Sequence, residues 1–247
     1  MFRKIKRYWY NFTHPIIGEV WQLHRVTNEH SVQDRMQQYE ITPARLESLI
    51  IAYQQKGFEF ISMAEVAKRL SLGSQPSVMC SSFFQKYVAV TLDDGYADNY
   101  EVAYPIFKKY NVPFCIYLCE KMVKGEIQED KIEHYRYLSI EQIERLNNEP
   151  LCTLGGHTAS HVHLSQLSHE QQREEIESCK LWIESITHKP MEDFAYPYGD
   201  YNADTISVVK DLGIMRAVAA WGGAIRKDTY YNSLTIPRLL VTESEKV

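Results

Sequence analysis

Several things are missing from this 247-residue sequence, and each absence narrows what it encodes. No stretch is long and apolar enough to span a bilayer, and the opening MFRKIKRYWYNFTHP has no continuous apolar core of the kind a secretory leader carries. A cytoplasmic protein is therefore expected. The formal net charge of −5 gives no electrostatic footprint for nucleic acid. Five cysteines are an odd number with no CxxC pair, which argues against a disulfide framework and fits a reducing compartment. Cys115 and Cys119 lie in an apolar, strand-like run and read as buried thiols. Repeats, low-complexity tracts and clear linkers are also absent, so residues 17–247 are expected to form one domain behind an N-terminal arm, residues 1–16.

That arm mixes Arg3, Lys4, Lys6 and Arg7 with Phe2, Tyr8, Trp9, Tyr10 and Phe12. Such a segment either packs on the domain through its aromatics or rests on an anionic membrane, at the inner face. Beyond it, apolar runs alternate with amphipathic segments. IGEVWQLH (17–24) reads as a strand. Thr42 and Pro43 open a helix whose Leu46, Leu49, Ile50 and Tyr53 mark one face, and Gly57 ends it. FEFIS, YVAVTL (87–92), PFCIYLC and LTIPRLLV read as further strands. NYEVAYPIFKKY is a helix bent by Pro105; Ser139–Gln142 caps another, and a long helix starts near Ser168. Regular alternation of strand and helix predicts a parallel α/β architecture, a closed or partly open (β/α) barrel. Chemistry in such folds sits at the C-terminal ends of the strands.

Asp93 and Asp94 stand at one such end. Adjacent residues of a strand face opposite ways, but Gly95 lets the chain turn so that both carboxylates reach one mouth. Alone, the Asp-Asp-Gly run reads first as a turn whose aspartates cap the next helix. A second constellation is LGGHTASHVHLSQLS, where His157 and His161 are four apart; on one helical turn both imidazoles face one side, a common metal-ligand spacing. Gly155 and Gly156 allow close backbone approach before it. The third is FAYPYGDYN (194–202), a strand ending in a Pro-Tyr-Gly turn. Two imidazoles and a carboxylate supply three ligands and leave an open position for water, while a neighbouring carboxylate can act as a base.

TLDDGYADN, HTASH, FAYPYG and LTIPRLLV, in that order, resemble the polysaccharide deacetylases, carbohydrate esterase family four, with the nodulation-factor deacetylase homology domain. The opening WQLHRV and the following ITPARLESLIIAYQQKGFEFISMAE look like the branch of biofilm poly-N-acetylglucosamine deacetylases. The resemblance covers roughly residues 17–241. It implies a distorted or partly open (β/α) barrel and a divalent metal ion: zinc first, with cobalt, nickel or manganese as alternatives. Asp94, His157 and His161 match the metal ligands, Asp93 the catalytic base, and the main-chain N–H of Tyr198 the oxyanion donor.

Two positions depart from the family. Many members carry an arginine where Ala195 stands, holding the base aspartate, and many carry a Leu-x-His whose histidine is the general acid, absent from LTIPR. Arg238 at the end of the last strand can supply the missing cation to Asp93. His24 and His134 can reach the mouth; His24, Tyr196, Pro197 and Trp221 are candidates for substrate binding, with Tyr196 and Trp221 as walls for sugar rings. The expected function is removal of N-acetyl groups from an N-acetylhexosamine-containing glycan or precursor. The alternative is a non-catalytic glycan-binding or scaffold protein on the same fold. An aspartyl-phosphate phosphatase is set aside, because Gly95 occupies the place of its second acid.

Overall fold

A computed structural model describes residues 14–28, 37–73, 85–127, 135–227 and 229–244. The basic-aromatic arm up to residue 13, Cys80 and His134 lie outside the described residues. No helix among the described residues is long and apolar enough to cross a membrane.

The chain runs β1 (Ile16–Leu23), β2 (Arg25–Val26), β3 (Glu40–Ile41), α1 (Pro43–Gln55), β4 (Glu59–Phe60), α2 (Met63–Gly73) and β5 (Tyr87–Leu92). It continues through α3 (Tyr104–Lys109), β6 (Phe114–Leu118), α4 (Glu120–Val123), α5 (Ile140–Asn147), β7 (Cys152–Gly156), α6 (His169–Thr187) and β8 (Asp193–Ala195). It ends with α7 (Ala203–Asp211), β9 (Arg216–Val218), β10 (Ile225–Arg226) and β11 (Leu239–Leu240).

One curled sheet in the order β10-β1-β5-β6-β7-β8-β9 carries the molecule, and every pairing from β1 to β9 is parallel. The expected distorted (β/α) barrel is borne out. Its seam is the irregular part. Ile236 bridges Val218 on one side, and Trp21 and Gln22 pair with Leu239 and Leu240 on the other. Residues 236–240 thus join the two edges of the sheet, and Arg238 lies in the middle of that seam. Of the long strand expected from LTIPRLLV, only Leu239–Leu240 is regular. Pro237 has no N–H to give a ladder, and the segment must cross between two edges instead of running along one.

Two buried clusters divide along the strands with a period of two. Val88, Val90 and Leu92 of β5 join Trp21 and Leu23 of β1 in the layer between sheet and helices. Tyr87 and Ala89 face the barrel interior with Val20, Cys115, Tyr117, Ala195, Val218 and Ile236. Continuing the inward series by two places Thr91 and Asp93 on β5, and Gln22 and His24 on β1, at the top of the barrel. The cap of α1 by Thr42, with Pro43 in its first turn, is present, as are the reciprocal Ser139/Gln142 and Ser168/Gln171 boxes. Before α3 the chain makes a π-helical turn over Asn99–Ala103, with Tyr104 N–H donating to Asn99 C=O. Pro105, which has no N–H, follows at once, and the widened turn is how the helix accommodates it.

Candidate metal centre and active site

Asp93 and Asp94 follow the last residue of β5, and both are buried. The turn that aims both at one mouth begins earlier than Gly95. Asp94 itself has φ 73° and Gly95 φ 80°. Aspartate is among the few residues that tolerate the left-handed region, and there it rotates the second carboxylate back toward the side of the first.

His157 leaves the end of β7, whose glycines are forced by space. A Cβ on Gly155 would lie 2.7 Å from the Asp193 carbonyl, and one on Gly156 2.7 Å from the Met191 sulfur. The helical turn expected for His157–His161 does not form. The segment is a loop with Thr158 at φ 65° and His161 at φ 53°, tied by a 2.9 Å bond from His161 N–H to Thr158 Oγ1. The two rings converge all the same, with centroids 5.0 Å apart, because the left-handed residues curl the loop over the strand end.

Asp94 Oδ1 lies 3.5 Å from His157 Nε2 and 3.4 Å from His161 Nε2, and one ligand atom from each residue falls within 4.8 Å of the others. Atoms bound about 2.0–2.2 Å from a tetrahedral ion stand about 3.3–3.6 Å apart, so these spacings suit ligands around a metal. The donor chemistry agrees. Each ring engages its far nitrogen elsewhere: His157 Nδ1 lies 2.8 Å from the Ala195 carbonyl, and His161 Nδ1 lies 3.0 Å from the Tyr198 hydroxyl. Burial pushes both imidazoles below the usual histidine range, which keeps them neutral and able to ligate.

Asp93 is held from two sides. Arg238 donates through Nη1 to Oδ1 at 2.7 Å and through Nη2 to Oδ2 at 2.8 Å, a bidentate fork. Gln22 Nε2 donates to Oδ2 at 2.9 Å. Burial alone pushes this carboxyl up, but Arg238, then His157 and His24, outweigh it and hold Asp93 well below the usual carboxylate range. Arg238 is 1 % exposed, and it also donates to Thr91 Oγ1 and to the Ala219 carbonyl. Ala195, where the family resemblance implies an arginine, is a small interior residue. The cation comes instead from the seam.

His24 Nε2 is 3.9 Å from Asp93 Oδ2, and its ring lies against Tyr39 with centroids 4.6 Å apart. Burial lowers its pKa to about 4; Asp93 works against this shift, while Arg238 and His157 add to it. Asn99 Nδ2 donates to the His24 carbonyl at 2.8 Å, which fixes the end of β1.

The cleft above these groups, about 210 Å³, is lined among others by Gln22, His24, Tyr39, Tyr198 and Trp221. Trp221 is 71 % exposed, and its Nε1 donates to the Tyr198 carbonyl at 3.3 Å. Tyr196 is a correction. It is fully buried, its hydroxyl donates to the Leu234 carbonyl at 2.8 Å, and its ring packs beside Tyr201, so it cannot form a wall of the cleft. Pro197 is buried as well and serves the turn rather than a sugar face. Sequence reading missed Gln22. Its only signal was a polar side chain in line with the inward Val20, and with Gly18 and Ile16 before it, none of them polar.

Fold and site together define a barrel protein whose strand ends form a metal-competent mouth. The family model for polysaccharide deacetylases matches residues 82–217, and the chain belongs to that family. It is 28% identical over 172 residues to YxkH of Bacillus subtilis (strain 168), covering 70% of this chain but only 56% of that protein. A poly-beta-1,6-N-acetyl-D-glucosamine N-deacetylase of Staphylococcus aureus (strain MRSA252) is 21% identical over 221 residues, 86% of this chain and 71% of its own. Among solved structures, IcaB from Ammonifex degensii has the same fold with a TM-score of 0.74 at 23% identity, covering 92% of each chain. The Streptococcus pyogenes deacetylase PplD, in complex with acetate, aligns with a TM-score of 0.73 at 22% identity over the same shares.

Proposed function

We propose that this protein is a metal-dependent hydrolase that removes the N-acetyl group from an N-acetylhexosamine-containing glycan or glycan precursor. The observation that carries this reading is one cleft in which Asp94, His157 and His161 converge beside Asp93, itself oriented by a buried arginine. Asp94, His157 and His161 would hold a divalent ion, which would polarise the acetyl carbonyl and make the attacking water more acidic. Two imidazoles and a carboxylate with an open position favour zinc, while cobalt, nickel and manganese accept the same donors.

Asp93 takes the proton of the attacking water. Gln22 and Arg238 hold its carboxylate at a fixed angle, so no reorientation is needed at the moment of transfer. The proton then passes by way of one water to His24, whose Nε2 lies 3.9 Å from Asp93 Oδ2. His24 delivers it to the leaving nitrogen, in place of the histidine absent from LTIPR. The main-chain N–H of Tyr198, in a turn with φ 58°, is the donor for the developing oxyanion. The exposed ring of Trp221 provides a face for a sugar.

The alternative of a non-catalytic binder rests on two absences, the family's Leu-x-His histidine and its arginine. Arg238 fills the second gap, and a pure binder has no need of an oriented base beside its metal site. The test is acetate release from chitin oligomers and from poly-N-acetylglucosamine, by chelated protein and after each metal is restored. Release only with metal supports the reading; no release from either glycan with any of the four metals defeats it. His24→Gln should slow turnover by about 10²-fold with metal content unchanged.

A further inference from the structure

Tyr198 carries a side chain as well as a main-chain N–H, and the two have separate work. Its hydroxyl stands 3.0 Å from Nδ1 of His161, while Nε2 of that ring faces Asp94. An imidazole ligates through a nitrogen that bears no proton, so a ligating Nε2 requires the proton on Nδ1. His157 meets this condition with a fixed acceptor, the Ala195 carbonyl, which cannot donate. For His161 the partner is a hydroxyl, able to do either. If the hydroxyl donates to Nδ1, the proton sits on Nε2 and the ring is closed to a metal. If its oxygen accepts from Nδ1–H, the ring is open.

The ring of Tyr198 is clamped in a way that keeps that oxygen in place. It stacks on His163 with centroids 4.0 Å apart and planes 14° from parallel, and meets the edge of His161 at 4.6 Å. Its carbonyl receives Trp221 Nε1, and the next residue, Gly199 at φ 65°, has no room for a Cβ, which would meet Ala220 and the Trp221 ring nitrogen at 2.8–2.9 Å. The turn is thus locked from both sides, although Tyr198 itself is 46 % exposed and adds little to the core.

Building on the metal centre proposed above, we propose that the Tyr198 side chain is a positioning residue for the metal. Its hydroxyl oxygen accepts from His161 Nδ1–H, selects the tautomer with a bare Nε2, and holds the ring in ligating orientation. Partners of this kind commonly set metal affinity. Tyr198→Phe deletes only the hydroxyl and keeps the main-chain N–H. Its zinc affinity, measured by competition with a chromophoric chelator, should be about 10–100-fold weaker than that of the wild type.

In the metal-free protein, imidazole nitrogen NMR should show His161 gaining Nε2–H tautomer while His157 is unmoved. Thermal unfolding of the metal-free variant should match the wild type, as an exposed hydroxyl allows. Unchanged zinc affinity overturns the proposal, and so does weaker zinc with an unaltered His161 tautomer. His157→Ala separates this from failure of the parent reading: if it binds zinc as tightly as the wild type, the metal centre itself is wrong and this inference falls with it.

Discussion

Replacing Arg238 by methionine, which keeps much of its length, removes the only guanidinium that reaches Asp93 among the described residues. All three of its side-chain nitrogens are used, on Asp93, Thr91 and Ala219, inside a barrel where the group is 1 % exposed. Breaking a buried pair from one side typically costs about 3–5 kcal/mol, because the partner charge stays buried. Gln22 still donates to Asp93, so the lower half of that range is expected. A domain with about 5–15 kcal/mol of stability survives the change.

The pH dependence gives the cause away. In the wild type Asp93 titrates below its unfolded value, so its stabilisation is complete above about pH 3.9 and is lost as pH falls through the folded value. Without Arg238 burial prevails and the folded value rises, so the group instead imposes a penalty above about pH 3.9 that fades toward acid. The gap between wild type and variant should therefore be widest near neutral pH and narrow as pH falls. Urea unfolding of metal-free protein across that range reads it. A gap below about 1 kcal/mol at neutral pH, or one independent of pH, would refute the reasoning.

Asp93→Asn should lose about 10²–10⁴ in kcat yet keep its ion, since its proposed role is proton transfer; near-normal turnover removes it from the mechanism. Chelation should lower the unfolding temperature and added zinc restore it, by about 2.7 kcal/mol of stability at a hundredfold excess over Kd. Calorimetry of His157→Ala should show no such gain. Gln22→Leu should cost about 1–3 kcal/mol by leaving Asp93 one donor short, and should lower kcat while zinc affinity stays level. Equal stability and rate would mean Arg238 alone orients the base.

Local chemistry made much of the fold legible in the sequence. YVAVTL is β5 to the residue, because a run of β-branched and apolar side chains buried on both faces has few other outcomes. The capping boxes at Ser139 and Ser168 fixed where two helices begin, since their bonds reach only three residues along the chain. The convergence of Asp94, His157 and His161 beside Asp93, the set proposed as ligands and base, was also readable, as strand ends followed by turns.

Tertiary structure decided the rest. Whether His157 and His161 meet on a helix or a loop depends on two left-handed residues whose cost is borne by packing, and spacing alone favoured the helix. Tyr196 and Trp221 are both aromatic and both lie near a turn, yet one is sealed under Leu234 and the other stands in solvent. That difference lies in which residues close over each. Above all, Arg238 reaches Asp93 across 145 positions of sequence because the last segment seams β9 to β1. A motif can say that a buried base wants a cation; only closure of the barrel decides which strand delivers it.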